Sequence, residues 1–131
     1  MDRFKLDPLP FMSKSVFPKD PYQKALCKLI EEYADEHLAK VLYRYRMEVN
    51  KPEPEQDKAL LGQYQKVVEE NLTILNNLLE GREWLVGDSY SLADISIYSF
   101  LQRMAGEPKS WRIIEEGYPN IKRWFEVVKA M

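Results

Sequence analysis

One stretch near the middle of the chain limits the fold more than any other. Between residues 89 and 102 only Asp94 is charged, and the other side chains are apolar or small. A helix that is apolar on nearly all sides is a buried central helix. Ser91 and Asp94 have the spacing of a capping box, in which the two residues satisfy each other's backbone N–H groups at a helix start. The sequence therefore predicts a central helix over residues 91–104.

Two longer helices are predicted ahead of it. Asp20 can cap the first helix, and Pro21 then occupies the first position, where its missing N–H has no cost. Residues 51–54 (KPEP) break this helix near Asn50, and a second helix follows, with Gly81 just past its end. The apolar stripe assigned to the first helix consists of Leu26, Leu29, Ile30, Tyr33, His37, Val41 and Tyr45.

The remaining residues predict two shorter helices, which begin at Pro108 and Pro119. Residues 84–88 have no second strand with which to pair, so they are interpreted as a buried connection. The expected fold class is all-α, a helical bundle packed around the 91–104 helix. Residues 1–19 contain three of the eight prolines and are expected to form an extended leader, while residues 20–131 form the domain. Phe4, Leu9, Phe11 and Phe17 are expected to hold the leader on the surface.

Charge and composition exclude several classes of function. The 131 residues carry a net charge of −2, whereas nucleic-acid binding would favour a basic excess. Cys27 is the only cysteine, so no intrachain disulfide is possible, which is typical of a reducing compartment. No apolar run approaches the roughly 18–20 residues that span a bilayer. We expect a cytoplasmic protein without a nucleic-acid or membrane partner.

Three segments, in the same order, resemble the C-terminal domain of the glutathione S-transferases. Residues 84–95 (WLVGDSYSLADI) resemble its capping-box segment, residues 17–25 (FPKDPYQKA) the start of its first helix, and residues 118–125 (YPNIKRWF) its penultimate helix. The resemblance covers about residues 17–131 and implies the all-helical fold of that domain. In the family, glutathione is bound mainly by a separate thioredoxin-like domain, which also supplies the catalytic side chain. The residues ahead of the match are too few for such a domain.

Individual candidate residues favour structural roles. Ser91 and Asp94 are interpreted as a structural capping box rather than as catalysts. Cys27 is expected to be a buried structural residue, and His37 to lie at the core boundary without metal ligands nearby. Tyr43 and Arg46 are the candidates for ligand binding, by stacking on a planar compound or hydrogen bonding to an anionic one. No catalytic residue and no metal site are assigned.

The resemblance implies a non-catalytic module for protein interaction or dimerisation, as related domains serve in translation-factor and aminoacyl-tRNA-synthetase complexes. Homodimerisation through the two long helices, or docking onto another chain, is expected. One alternative is the helical half of a split glutathione transferase, in which glutathione is a cofactor only if a thioredoxin-fold partner supplies the site. The other is a domain that binds a small hydrophobic or anionic ligand near Tyr43 and Arg46.

Overall fold

The computed structural model describes residues 17–131, and none of these residues lies in a β-strand. Six α-helices are present, which confirms the all-α prediction, and a π-helical segment (Ala34–Leu38) joins the first two. The expected leader contacts of Phe4, Leu9 and Phe11 lie outside the described residues. The helices are α1 (Pro21–Tyr33), α2 (Ala39–Val49), α3 (Lys58–Leu78), α4 (Leu92–Ala105), α5 (Pro108–Gly117) and α6 (Pro119–Lys129).

The first long helix begins as its sequence predicts. The Asp20 carboxylate accepts a hydrogen bond from the N–H of Gln23 at 2.9 Å, and Pro21 follows it at the first helical position. This bond satisfies one of the N–H groups that a helix start leaves without an intrahelical partner. The cap therefore determines where α1 starts.

Five of the seven residues in the predicted apolar stripe of this helix contact the core, and two do not. Leu29 and His37 are exposed, while Cys27, Ala34 and Leu38 face the core. The buried positions Ile30, Ala34, Leu38 and Leu42 are four residues apart, whereas a regular α-helix has 3.6 residues per turn. The π-helical turn, in which the N–H of Ala39 donates to the carbonyl of Ala34, has the wider spacing that keeps these positions on one face.

Helices α2 and α3 form an antiparallel hairpin around a buried acid. Glu48 lies near the end of α2, where it accepts hydrogen bonds from the N–H of Asp57 at 2.8 Å and from the ammonium of Lys51 at 3.0 Å. These two donors hold the pKa of Glu48 below its ordinary value. Asp57 in turn caps α3 by accepting from the N–H of Leu60 at 3.1 Å. Polar groups thus determine the turn of the hairpin.

Helix α4 occupies the centre of the bundle, as predicted. It packs against α1, the π-helical segment, α2 and α5, while α6 packs against α3 and α5. Its side chains Ala93, Ile97, Leu101 and Met104 are almost completely buried. The burial of this face of α4 agrees with its nearly uncharged sequence, although Ser99, Gln102 and Arg103 are exposed.

The connection from α3 to α4 contains two glycines in the left-handed region. Gly81 has φ 67° and Gly87 has φ 65°, values that side chains with a Cβ rarely adopt. At Gly87 a Cβ atom would also lie 2.9 Å from the amide of Gln23 on α1. Gly87 therefore permits the connection to approach α1 closely.

Candidate functional site

Asp94 connects three parts of the domain. Its Oδ2 atom accepts hydrogen bonds from the N–H of Ser91 at 2.9 Å and from the Ser91 hydroxyl at 3.2 Å, as part of the capping box of α4. Its Oδ1 atom accepts from the indole N–H of Trp124 at 2.8 Å and from the N–H of Leu85 at 3.1 Å. Asp94 thus joins the start of α4 to α6 and to the preceding connection.

The environment of Asp94 is that of a structural carboxylate. Its side chain is completely buried, and this burial raises its pKa, while the hydrogen bonds from Trp124, Leu85 and Ser91 oppose the rise. All of these donors belong to the protein, and they occupy both carboxylate oxygens. The arrangement satisfies four donors inside the core and favours stability rather than chemistry.

Cys27 has the surroundings of a structural thiol. It is buried on α1, and its sulfur lies 3.9 Å from the hydroxyl of Ser91 and 3.9 Å from a carboxylate oxygen of Glu31. Burial raises the pKa of the thiol, with the charges of Glu31 and Asp94 acting in the same direction. A nucleophilic or redox-active cysteine requires a lowered pKa. This environment favours the interpretation of Cys27 as a core residue.

Arg46, one of the two candidate ligand residues, is engaged in an ion pair. Its guanidinium donates two hydrogen bonds to Glu107, from Nε at 2.9 Å and from an Nη atom at 2.6 Å. Ser110 and Asn50 also donate to the same carboxylate, at 2.6 Å and 3.1 Å. The Arg46 hydrogen bond is the largest cause that lowers the pKa of Glu107 to about 2. Arg46 therefore links α2 to the start of α5.

Tyr43, the other candidate, lies on the outer face of α2 with 59% of its surface exposed. Arg46 is largely covered beside Glu107, with a side chain that is 16% exposed. A ligand of this pair would have to compete with Glu107 for the guanidinium. Ligand binding by Tyr43 and Arg46 stays a prediction.

The described part of the chain contains no candidate metal site and no candidate membrane-spanning helix. Among residues 17–131, no three His, Cys, Asp or Glu side chains converge in a way that can hold a metal ion. Within the same residues, no helix combines the length and the apolar character needed to cross a bilayer.

Exposed apolar side chains line one side of α3 and one side of α1. On α3, Val67, Ile74 and Leu78 are spaced i, i+7, i+11, so they lie on one side of the helix, and they are 37%, 58% and 37% exposed. On α1, Tyr22 and Leu29 are also seven residues apart, and they are 75% and 61% exposed. We refer to these five residues as the α1–α3 apolar face.

One hydrogen bond shows that the two stripes of this face are neighbours. The Tyr33 hydroxyl, on the same side of α1 as Leu29, donates to the side-chain oxygen of Asn71, which lies on α3 between Val67 and Ile74. Burial raises the pKa of Tyr33 to about 12. From this contact, α1 extends back toward its start on the side toward which α3 extends to its end. The apolar side chains of both helices therefore contribute to one side of the domain.

Comparison with known proteins identifies the family. The model of the glutathione S-transferase C-terminal domain matches residues 33–130. The chain belongs to this family. A probable glutathione S-transferase from Nicotiana tabacum is 30% identical over 117 residues, which cover 87% of this chain and 48% of the relative. Another, from Solanum tuberosum, is 31% identical over 120 residues, covering 87% and 50%. The chain thus spans about half the length of the curated relatives that it matches.

Solved structures agree on the fold. A glutathione transferase from Burkholderia graminis, with two glutathione molecules bound per subunit, has a TM-score of 0.80 at 20% identity. The match covers 92% of this chain and 51% of that one. A glutathione S-transferase from Methylobacillus flagellatus with bound glutathione has a TM-score of 0.70 at 28% identity, covering 88% and 56%. The helical bundle is therefore the fold of the glutathione S-transferase C-terminal domain, as its motifs indicated.

Proposed function

We propose that this glutathione S-transferase C-terminal domain acts by association, as a homodimer formed across the α1–α3 apolar face. The observation that carries the proposal is the exposure of Leu29 on α1 and Ile74 on α3, which are 61% and 58% exposed. Exposed apolar surface of more than a few hundred Å² usually marks an interaction site.

A second copy of the chain is the occupant that we favour. A two-fold axis through the face would place the same residues of both copies against each other, as an isologous interface requires. A standard interface buries about 800 Å² of each partner, so this interface would have to extend over both α1 and α3. We expect this association in the cytoplasm and without a catalytic step by the chain itself.

Sedimentation equilibrium over a concentration series tests the dimer. We expect the wild type to dimerise and Ile74→Glu to weaken the dimer at least about tenfold, because each interface would bury two unpaired carboxylates. Val127→Glu is the matched control, since Val127 is an exposed apolar residue on α6, with 39% of its surface exposed. A wild type that stays monomeric at about 100 μM, or equal effects of the two variants, would contradict the proposal.

A second candidate is the helical half of a glutathione transferase. It is favoured by the relatives, because this chain matches only about half of each of them. In this case a thioredoxin-like chain would hold glutathione and supply the reactive group. We would expect no glutathione conjugation by the purified chain and conjugation once a co-purifying thioredoxin-like chain is added. If the mixture is as inactive as the chain alone, the second candidate is excluded while the dimer proposal is unaffected.

A further inference from the structure

A groove lies on the side of α3 away from the α1–α3 apolar face. It has a volume of about 620 Å³, within the range of small-molecule sites. Helix α3 forms one wall, α5 forms the other, and α2 contributes the floor with Tyr45 and Val49. The position of this groove makes it independent of the proposed dimer.

The floor of the groove contains a buried hydroxyl group that the protein leaves unsatisfied. Tyr45 is 4% exposed, and its hydroxyl has no hydrogen-bond partner among residues 17–131. Burial raises the pKa of Tyr45, the charge of Glu69 raises it further, and the charge of Arg112 lowers it. The hydroxyl is therefore close enough to respond to a charge on each wall of the groove. Buried polar groups in native proteins nearly always have a partner, so this hydroxyl is available to hydrogen-bond a molecule that enters the groove.

Charges of opposite sign lie at the two ends of the groove. Along α5, Lys109, Arg112 and Glu116 line it in this order, over a rise of about 10 Å. The hydroxyl of Tyr118 donates to the carbonyl of Glu69 at 3.1 Å, so the end of α5 and Glu69 of α3 belong to the same end of the groove. One end is therefore cationic and the other anionic.

The charged side chains on α5 do not have structural partners that explain them. Lys109, Arg112 and Glu116 form no ion pair or hydrogen bond through their charged groups within residues 17–131. Lys109 also lies in the first turn of α5 and Glu116 in the last, the reverse of what the helix dipole favours. Local choices that lower helix stability without a compensating contact occur at functional sites.

We propose that this groove binds a small zwitterion, in the class of a short peptide with free ends. The carboxylate lies at Lys109 and Arg112 and accepts a hydrogen bond from the hydroxyl of Tyr45. The ammonium group lies at Glu69 and Glu116. The bound molecule would satisfy the buried hydroxyl and pair the free charges at both ends.

Four forms of one tripeptide test the ligand class: trialanine with free ends, with an acetylated N-terminus, with an amidated C-terminus, and with both ends capped. Binding is followed by the shifts of backbone amide signals in two-dimensional NMR. We expect the free-ended peptide to shift signals of groove residues such as Gln65, Thr73 and Ile113. Each singly capped peptide should bind about tenfold more weakly, because one charge-assisted contact is lost.

Three variants assign the contacts. Arg112→Gln should weaken the binding of peptides that have a free carboxylate. Glu69→Gln should weaken the binding of peptides that have a free ammonium group. Neither variant should alter the binding of the doubly capped peptide. Tyr45→Phe should weaken the free-ended peptide several-fold without lowering the thermal unfolding midpoint, because it removes a hydroxyl that bonds nothing in the fold. Lys66→Gln, an exposed cation on α3 outside the groove, is the matched control and should have no effect.

Three results would overturn the proposal. The first is equal binding of the free-ended and doubly capped peptides. The second is a set of signal shifts that lies outside the groove. The third is the absence of any signal shift at about 10 mM free-ended peptide, because an affinity too weak to be seen at this concentration does not indicate a specific site.

Discussion

Asp94 and Glu107 are two carboxylates at the starts of neighbouring helices, and their environments are opposite. Asp94 lies at the start of α4 inside the core, where it accepts hydrogen bonds from Trp124, Leu85 and Ser91. Glu107 lies at the start of α5 with a side chain that is 27% exposed, and its principal partner is the guanidinium of Arg46. Burial raises the pKa of Asp94, whereas Arg46 lowers that of Glu107 to about 2.

A helix start can therefore be stabilised in two ways. Asp94 satisfies neutral donors that have no access to water, so its removal leaves buried N–H groups unpaired. Glu107 contributes through a charge pair with partial access to solvent, so its removal leaves groups that water can still reach. We therefore expect the loss of Asp94 to lower the free energy of unfolding more than the loss of Glu107, although both residues bind several groups.

Asp94→Ala is expected to have the largest effect. It leaves the indole N–H of Trp124 and the N–H of Leu85 without an acceptor and removes the cap of α4, so the free energy of unfolding should fall by about 3–5 kcal/mol. Denaturant unfolding at pH 7 measures this change. Asp88→Ala, at an exposed acid six residues earlier, is the control and should change stability by less than about 0.5 kcal/mol. Similar losses of stability in both variants would contradict the structural role assigned to Asp94.

Trp124→Phe should have the next largest effect. It removes one donor to Asp94 and part of a fully buried ring, for a loss of about 2–3 kcal/mol. In a double-mutant cycle with Asp94→Ala we expect a coupling free energy of about 1 kcal/mol or more. Additive losses would show that the indole and the carboxylate act independently.

Glu107→Gln tests the contribution of the Glu107 charge through its dependence on pH. The folded-state pKa of Glu107 is about 2 against an ordinary 4.5, so its ionised form stabilises the fold above pH 4.5 and this contribution is lost as the pH falls toward 2. At pH 7 we expect a loss of about 1–2 kcal/mol, since water partly screens the pair. The difference from the wild type should disappear near pH 2, as followed by unfolding at a series of pH values.

Asp94→Asn should give a pH profile of the opposite slope. Because the folded-state pKa of Asp94 is raised above 3.8, its protonated form is favoured by folding, and the wild type loses stability relative to this variant as the pH rises through the folded-state pKa. Parallel profiles for Asp94→Asn and Glu107→Gln would contradict the assigned environments.

Glu115→Gln is expected to have the smallest effect. Glu115 pairs with Lys122 at 3.1 Å, but both side chains are nearly half exposed. Ion pairs at such positions contribute about 0–1 kcal/mol, so we expect a loss below about 0.5 kcal/mol in the same unfolding assay. A loss as large as that of Glu107→Gln would show that solvent exposure does not determine how much the two ion pairs, Glu115–Lys122 and Glu107–Arg46, contribute to stability.

The helices of this domain were largely predictable from the sequence, because their starting signals are local. Asp20, Pro108 and Pro119 precede or open helices where the structure places them, and the central position of α4 follows from its lack of charge. Leu29 and His37 were wrongly assigned to the apolar stripe of the first helix. For His37 the reason is that regular 3.6-residue spacing was assumed across a segment that contains a π-helical turn.

The tertiary contacts were beyond sequence reasoning. The bond from Trp124 to Asp94 joins residues 30 positions apart, and the ion pair of Arg46 with Glu107 joins residues 61 apart. No periodicity or capping rule predicts such pairs, because they depend on how separate helices pack. The groove at Tyr45 was missed for the same reason, since its walls come from α3 and α5.

The π-helical turn at Ala34–Leu38 has a consequence for how the chain can change over evolution. Inserting or deleting one residue in an α-helix rotates everything beyond that point by about 100° and would turn the buried face to solvent. A π-helical turn absorbs one additional residue locally, so the helix on either side keeps its register against α4. A homologue that is one residue shorter between Tyr33 and Ala39 would therefore retain the same core with a continuous α-helix. Sequence alignments across this segment should accordingly permit a single gap inside a helix.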